Sequence, residues 1–401
     1  MIKCKSAFVG IVTKLFDITG KALSGEWGTD DLDGCGIPVL RTTNFTNVGK
    51  VNYDNVVTRN IQKQNISEKL LKKGDIIIEK SGGTDKNPVG RVIYFEGEEN
   101  KYLFNNFTGL LRVKDKNEWY PKYVFYSMFA YYKRGGTRRF ENKTTGLHNL
   151  KLDDYIKRLD IQKASYVDQV HVCKLLDCVR LQIDNMEQEL ELLDELVKAR
   201  FVEMFGDVQD AKKHRSIQLK DICNTVTGGT PSTKHVEYYN GTIPWISTVS
   251  LGPNYIDGTT AKAFITQEAV DNSSTKIIPS GSILFGTRVG VGKSSINQVE
   301  MCTNQDIVAI IDLDESKYNK LYIKYVLDTY QSYFDSIKKG ATILGISSDD
   351  LKNIYVPDAS LYEQDRFEKF VKQIDKSRSR IQKSLEASQE LFDSLMQEYF
   401  S

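Results

Sequence analysis

The feature that most constrains this chain is a helical heptad pattern that occurs twice, the second copy lying 195 residues after the first. In the first copy apolar residues fall at Val172, Leu176, Val179, Ile183, Met186, Leu190, Leu193 and Val197. Steps of four and three alternate, which is the spacing of a narrow seam two positions wide per heptad. The same offset lands on Phe367, Val371, Ile374, Arg378, Ile381, Leu385, Ser388 and Phe392, followed by Leu395, so the second copy is interrupted only at Arg378 and Ser388. Identities share that register: Gln169 with Gln364, Lys174 with Lys369, Leu190-Glu191 with Leu385-Glu386, and Phe205 with Phe400. A duplication on this scale sets the plan of the whole fold.

The segments ahead of the helices match more loosely. LFDI at 15–18 answers LKDI at 219–222, and the Gly36–Leu40 segment answers Thr242–Ile246. Lys73-Gly-Asp-Ile-Ile-Ile answers Ser280-Gly-Ser-Ile-Leu-Phe, in each case a turn feeding a buried strand. A glycine loop follows (81–91 and 286–293), then a Tyr-rich amphipathic helix (121–132 and 320–334) and a Gly/Thr loop (135–146 and 340–345). The predicted organisation is a domain over 1–163, a long helix over 164–206, a second domain over 207–358 and a second long helix over 359–401. Short connections, Gly206 to Ser216 and Asp358 to Ser360, place the end of one helix beside the start of the next if the second domain is compact. The expected fold class is therefore α+β, with two mixed α/β domains separated by two long antiparallel helices forming a coiled coil, as a pseudo-twofold internal repeat. Such helices make a rod of roughly 60 Å. The alternative is that each helix packs along its own domain, and the narrowness of the seam argues for the coiled coil.

Forty per cent apolar and 27% charged residues describe a globular chain, and no run reaches the roughly 20 apolar residues of a membrane span. The opening MIKCKSAFVGIVTKLF has too short an apolar run for a signal peptide, so a cytoplasmic location and no membrane partner are expected. Six scattered cysteines contain no CxxC pair and read as buried or partly buried thiols; with four dispersed histidines, no metal site is predicted. Net charge is +1, but the two helical segments are acidic, leaving a surplus of positive charge on the domains. That mildly favours a polyanionic partner.

Two motifs suggest catalysis and both depart from what the chemistry needs. Gly286-Thr-Arg-Val-Gly-Val-Gly-Lys293-Ser294 looks like a phosphate-binding loop, but five residues rather than four separate Gly286 from Gly292-Lys293-Ser294. Asp75-Ile-Ile-Ile-Glu79-Lys80 looks like a nuclease cluster, but Lys follows Glu directly, and the second copy has Ser282 and Gly286 in place of the acids. Basic residues are more informative because they gather in equivalent loops among Thr, Asn and Gly. The DNA-binding candidates are Arg41, Thr42, Asn44, Lys80, Arg91, Arg134, Arg138, Arg139 and Lys143 in the first copy. Lys234, Ser247, Thr248, Arg288, Lys293 and Lys339 are their counterparts in the second. Lys and Arg meet phosphates, Arg can read guanine, and Asn can read adenine.

Taken together, the Ile-Pro strand, the Gly-Asp/Ser-Ile turn, the Arg-bearing glycine loop and the exit GATILGISSDDLKNIYVPDASLYEQ (340–364) into a heptad helix resemble the specificity subunit of Type I restriction-modification enzymes. The first copy has a weaker form of that exit, TTGLHNLKLDDYIKRLDIQKASYVDQ (144–169), without a proline matching Pro357. The resemblance spans the chain and rests on order and duplication, not on one motif. It implies a bacterial or archaeal, non-catalytic subunit whose domains each read half of a bipartite site in double-stranded DNA. The helices would set the spacing and dock two modification subunits, and restriction subunits would join them. It also implies no cofactor in this chain, with S-adenosylmethionine, ATP and Mg carried by the partners. A nucleotide hydrolase, a nuclease and a coiled-coil adaptor remain the competing readings.

Overall fold

In a computed structural model, residues 10–62, 66–144, 147–206, 216–340 and 342–401 are described, with only the backbone of 143, 144 and 147. The chain divides into two compact units, Met1–Met186 with Ser384–Ser401, and Glu187–Lys383. Each unit thus combines a globular domain with parts of both long helices, Tyr166–Phe205 and Leu361–Phe400.

The first unit is built on a four-stranded sheet ordered Leu23–Ser24, Thr108–Leu111, Ile76–Glu79, Val92–Tyr94. A second four-stranded sheet runs Thr29–Asp30, Val57–Asn60, Ile37–Leu40, Leu103–Phe104, its last pair parallel. The second unit repeats the plan. Its main sheet runs Asn224–Thr227, Ile307–Ile311, Ile283–Gly286, Ser294–Asn297, Tyr255–Ile256, and Ile243–Ile246 again pairs in parallel with Cys302–Thr303. The turn-strand motif read from the sequence is the centre of both sheets. Ile76–Glu79 and Ile283–Gly286 are buried at every position, and the preceding turns pass through Gly74 (φ 92) and Gly281 (φ 80), a left-handed backbone that glycine adopts without a Cβ clash.

In each unit the incoming and outgoing strands of the domain pair: Val12–Lys14 with Asp160–Gln162, and Ser216–Gln218 with Tyr355–Pro357. That pairing brings the domain's two ends together, which the short connections required. In the second unit it sets the end of one helix beside the start of the other, with Phe201 and Phe205 at 5.4 and 5.7 Å from Phe367. Asp194 pairs with Arg378, while Arg200 lies over Phe370 at 5.9 Å, so the helical segments of this unit run antiparallel. In the first unit Arg180 lies over Phe392 at 4.2 Å.

The seam follows the predicted positions. Leu176, Val179, Ile183, Val197, Val371 and Phe392 are buried, and Met186, Leu190, Ile374, Ile381, Leu385 and Leu395 are half-buried. Arg378, one of the two interruptions, is accommodated by Asp194. Near the chain's end the buried stripe moves to Met396 and Phe400, because it packs there against the domain as well: Phe400 stands 5.2 Å from Tyr123. The two alternatives for the helices are therefore combined, each helical segment touching both the other helix and a domain.

Three local expectations are corrected. The Tyr-rich helix of the second unit is two helices, Lys320–Thr329 and Gln331–Ile337, because Tyr330 leaves helical geometry while its hydroxyl bonds the backbone of Tyr355 (2.9 Å). The first Gly/Thr loop holds a short 3-10 helix, Gly136–Phe140, and a strand, Glu141–Thr144, that pairs with Leu147–Leu150, itself joined to Ser81–Gly83. Of the thiols, Cys173 and Cys302 are buried and Cys223 is half-buried, but Cys35 and Cys178 are exposed; Cys4 lies outside the described residues. Cys35 sits in the loop between Thr29–Asp30 and Ile37–Leu40, and Cys178 falls off the helix seam. Among the described residues no helix is long and apolar enough to cross a membrane.

Candidate nucleic-acid interface

The domains that carry the candidates are held to the long helices by a polar joint that is the same in both units. Gln169 is fully buried at the start of the first long helix. Its carbonyl accepts from the amide of Tyr120 (2.8 Å), and its Nε2 donates to the carbonyls of Glu118 and Ala164 (both 3.0 Å). Gln364 repeats all three bonds, with the amide of Asn319 (2.8 Å) and the carbonyls of Lys317 (3.0 Å) and Ala359 (2.9 Å). Each glutamine ties the helix to the residues just before the Tyr-rich helix, Pro121–Lys133 or Lys320–Thr329. A second matching tie runs from Tyr123 Oη to the Gln162 carbonyl (3.1 Å) and from Tyr322 Oη to the Pro357 carbonyl (2.8 Å). Ser165 with Asp168 and Ser360 with Glu363 cap the two helix starts by reciprocal side-chain bonds. The sequence signal for the joint was the Gln169/Gln364 identity, although nothing local gave its role.

Several candidates turn inward. Glu79 is buried, and Arg91 donates to both of its oxygens (3.2 and 3.1 Å) and to the carbonyls of Phe45 (3.3 Å) and Thr42 (3.1 Å). Burial works against the Arg91 charge, but the Glu79 bonds and charge outweigh it, so the guanidinium titrates above its ordinary value. Nε, Nη1 and Nη2 of Arg91, a DNA-binding candidate in the sequence, thus each make a bond within the domain. Asn44 is likewise buried, accepting from the Arg41 amide (2.9 Å) and donating to the Asn52 carbonyl (3.0 Å). Ser247 and Thr248, the matching turn of the second unit, are buried too. These DNA-binding candidates lie in the turn that follows the Ile-Pro strand, with their side chains enclosed by the domain. Thr42 is half-buried in the first of these turns, and Arg41 Nη2 donates to the Asn55 carbonyl (3.0 Å).

Arg134, Arg138 and Arg139 of the first unit are exposed but line two different hollows. Arg138 donates twice to the Asp85 carbonyl (3.1 and 3.2 Å) and so rests on the glycine loop. With Lys86, Lys133, Asn47, Asn87 and Tyr132 it lines a hollow of about 390 Å³. Arg134 and Arg139, neighbours of Arg138 in sequence, line a different hollow of about 340 Å³ together with Arg158. There Arg139 lies over Phe140 (4.8 Å), and Arg134 donates to the Phe400 carbonyl (2.5 Å). Lys80 donates to Ser24 Oγ (3.3 Å), and burial, followed by nearby Lys69, holds its ammonium below the ordinary value. The Lys143 side chain lies outside the described residues. In the second unit Lys234, Arg288, Lys293 and Lys339 are exposed, with Arg288 3.7 Å from Asp306.

Neither catalytic motif keeps its chemistry in three dimensions. Gly286–Lys293 is the turn of a hairpin: the Gly286 amide bonds the Lys293 carbonyl (2.9 Å), the Gly292 amide bonds the Gly286 carbonyl (3.1 Å), and Ser294–Asn297 is a strand. A phosphate loop needs free amides and a following helix. Asp75 is buried and gripped by Arg112 through two bonds (2.7 and 2.6 Å), as Glu79 is by Arg91, so both carboxylates already have cations. Among the described residues no group of three His, Cys, Asp or Glu could hold a metal ion.

Comparison with known proteins agrees with this duplicated plan. The Type I restriction modification DNA specificity domain family matches residues 12–191 and again 212–389. The chain is 34% identical over 150 residues to the Type I restriction enzyme MjaIX specificity subunit of Methanocaldococcus jannaschii, covering 37% of this chain and 35% of that one. It is 31% identical over 183 residues to the EcoR124I/EcoR124II specificity subunit of Escherichia coli, covering 43% and 44%. The matched stretch thus spans less than half the length of either relative. In fold, the chain is similar to the solved S subunit of a Type I restriction-modification system from M. genitalium (TM-score 0.54, 15% identity, 100% and 98% coverage). A chain from a structural study of type I system assembly and conformational transition scores the same (0.54, 13% identity, 100% and 99% coverage).

Proposed function

From the premise that this chain belongs to the Type I restriction-modification DNA specificity family, we propose that it is a non-catalytic specificity subunit whose two domains each read one half of a bipartite site in duplex DNA. The observation that carries this reading is the repeated glutamine joint. It ties the reading domain of each unit rigidly to a long helix, so that helix length becomes a measure of half-site spacing. In this reading 1–163 and 207–358 are the reading domains, and the long helices over 164–206 and 359–401 are the spacer. Two modification subunits dock on the helices, and restriction subunits join them; S-adenosylmethionine, ATP and Mg belong to those partners. The complex works in the cytoplasm of a bacterium or archaeon.

Supporting the docking role, Leu181 in the first unit (59% exposed) and Leu192 and Leu196 in the second (53% and 47%) leave apolar surface on the first long helix off its seam. For DNA contact the exposed Lys86, Lys133 and Arg138 of the first unit, and Arg288, Lys293 and Lys339 of the second, are the phosphate-facing set. Arg134, Arg139, Lys80 and Lys234 are assigned to the flanks.

The test is reconstitution. The purified chain alone should neither methylate nor cut DNA, and with modification subunits it should direct methylation to one bipartite motif. Inserting four residues into both helices should lengthen the unspecified spacer by about 6 Å, or about two base pairs, with both half-sites unchanged. Catalysis by the chain alone, or altered half-sites after the insertion, would sink the reading.

A further inference from the structure

The second unit exposes aliphatic side chains where a DNA-facing loop would ordinarily be polar. Its glycine loop turns at Thr287–Gly292, and at the tip Val289 is 51% exposed. Beside it a second hairpin is closed by Lys339 and Gly345, whose backbones bond in both directions (2.8 and 3.0 Å). At that tip Ile343 and Leu344 are 56% and 57% exposed. The two turns adjoin: the Ile346 amide donates to the Thr287 carbonyl (2.8 Å), and a Cβ added to Gly345 would meet Arg288 Cγ at 2.8 Å. Three bare aliphatic groups therefore stand on adjoining turns whose own residues include the exposed cations Arg288, Lys293 and Lys339.

Aliphatic surface this exposed is unfavourable in water unless something covers it. The same turns carry Arg288, which lies 3.7 Å from Asp306, with Lys293 and Lys339, so a partner that offers negative charge together with an apolar group fits them. Duplex DNA has that combination in its major groove, where phosphates border the one apolar feature of the base edges, the C5-methyl of thymine. Corresponding loops of the first unit present Asp85, Lys86, Asn87 and Arg138 instead.

We propose that Val289, Ile343 and Leu344 read thymine methyl groups in the half-site taken by the second unit. This deepens the reading of the chain as a specificity subunit and rests on it. The experiment uses the full chain with its modification subunits and a duplex carrying the motif found by methylation mapping. Deoxyuridine replaces thymidine in one half-site at a time, which removes only the methyl. Binding should weaken about fourfold per methyl in one half-site and not in the other. That sensitivity should vanish in a Val289→Ser, Leu344→Ser double variant and persist in Lys86→Ala, Arg138→Ala. An unchanged melting temperature for the first variant shows that the fold is intact.

Binding that ignores uracil in both half-sites overturns the inference, and is the result expected of an aliphatic wedge that merely pries bases apart. A uracil effect that survives in the Val289→Ser, Leu344→Ser variant overturns it too, as does a motif with no A·T pair in either half. All of these leave the specificity-subunit reading intact. Failure to recognise any bipartite duplex overturns both.

Discussion

The two units use one frame and two kinds of tip. Gln169 and Gln364 make the same three bonds, Tyr123 and Tyr322 the same tie, and both central strands follow the same glycine turn. Beyond the frame the units part. Glu79 of the first unit anchors Arg91 beneath the glycine loop, whereas the matching position of the second is Gly286, with no carboxylate to offer. The first loop exposes only charged and polar groups at Asp85–Asn87, while the second sets exposed Val289 beside Arg288. A frame residue is constrained by every buried group it must satisfy, while a tip residue answers only to what it meets outside; sequence drift is expected where that constraint is weakest.

The frame gives the largest predicted effects. Replacing Gln169 by Leu leaves an amide and two carbonyls unpaired in a closed site, and should destabilise the first unit by about 3 kcal/mol or more, measured by denaturant unfolding. Gln364→Leu should cost the second unit the same. Unequal costs would break the claim of a common frame.

Next is the asymmetric pair beneath the loops. Glu79→Ala strands Arg91 and should destabilise the first unit by about 2 kcal/mol. In the second unit, where Gly286 matches Glu79 and has no such bond to lose, Ser282→Ala in the turn ahead of the strand removes one hydroxyl bonded to the Pro279 carbonyl (2.7 Å) and should cost about 1 kcal/mol.

At the tips, removing Lys86, Lys133 and Arg138 should flatten the salt dependence of DNA affinity by about 0.9 in the log-log slope for each phosphate that is no longer neutralised. Val289→Ser should leave that slope unchanged. Equal slopes would show that the tips do not differ in kind. The smallest effect is expected at Arg378→Ala, which removes a partly exposed ion pair with Asp194 and should cost under about 1 kcal/mol.

How much of this was legible in the sequence depends on the range of the signal. The seam positions, the buried Ile76–Glu79 strand and the helix Pro121–Lys133 announce themselves through spacing of three, four or two residues along the chain. The break at Tyr330 did not, because it is set by a hydroxyl bond to Tyr355, 25 residues away. Nor did the fates of the basic residues: Arg134, Arg138 and Arg139 are near neighbours in sequence, yet they divide between two hollows. That Arg91 is held by Glu79, on the adjacent strand, is likewise visible only in the fold.

By itself, then, the sequence determined that this protein is a duplicated unit, which residues form the helix seam, and where each central strand begins, since periodicity and turn chemistry act between near neighbours. Only the tertiary structure decided which polar side chains bind the frame together and which are left facing outward. Those roles depend on partners tens to hundreds of residues away, and a buried group's hydrogen bonds are settled only when its surroundings have closed around it.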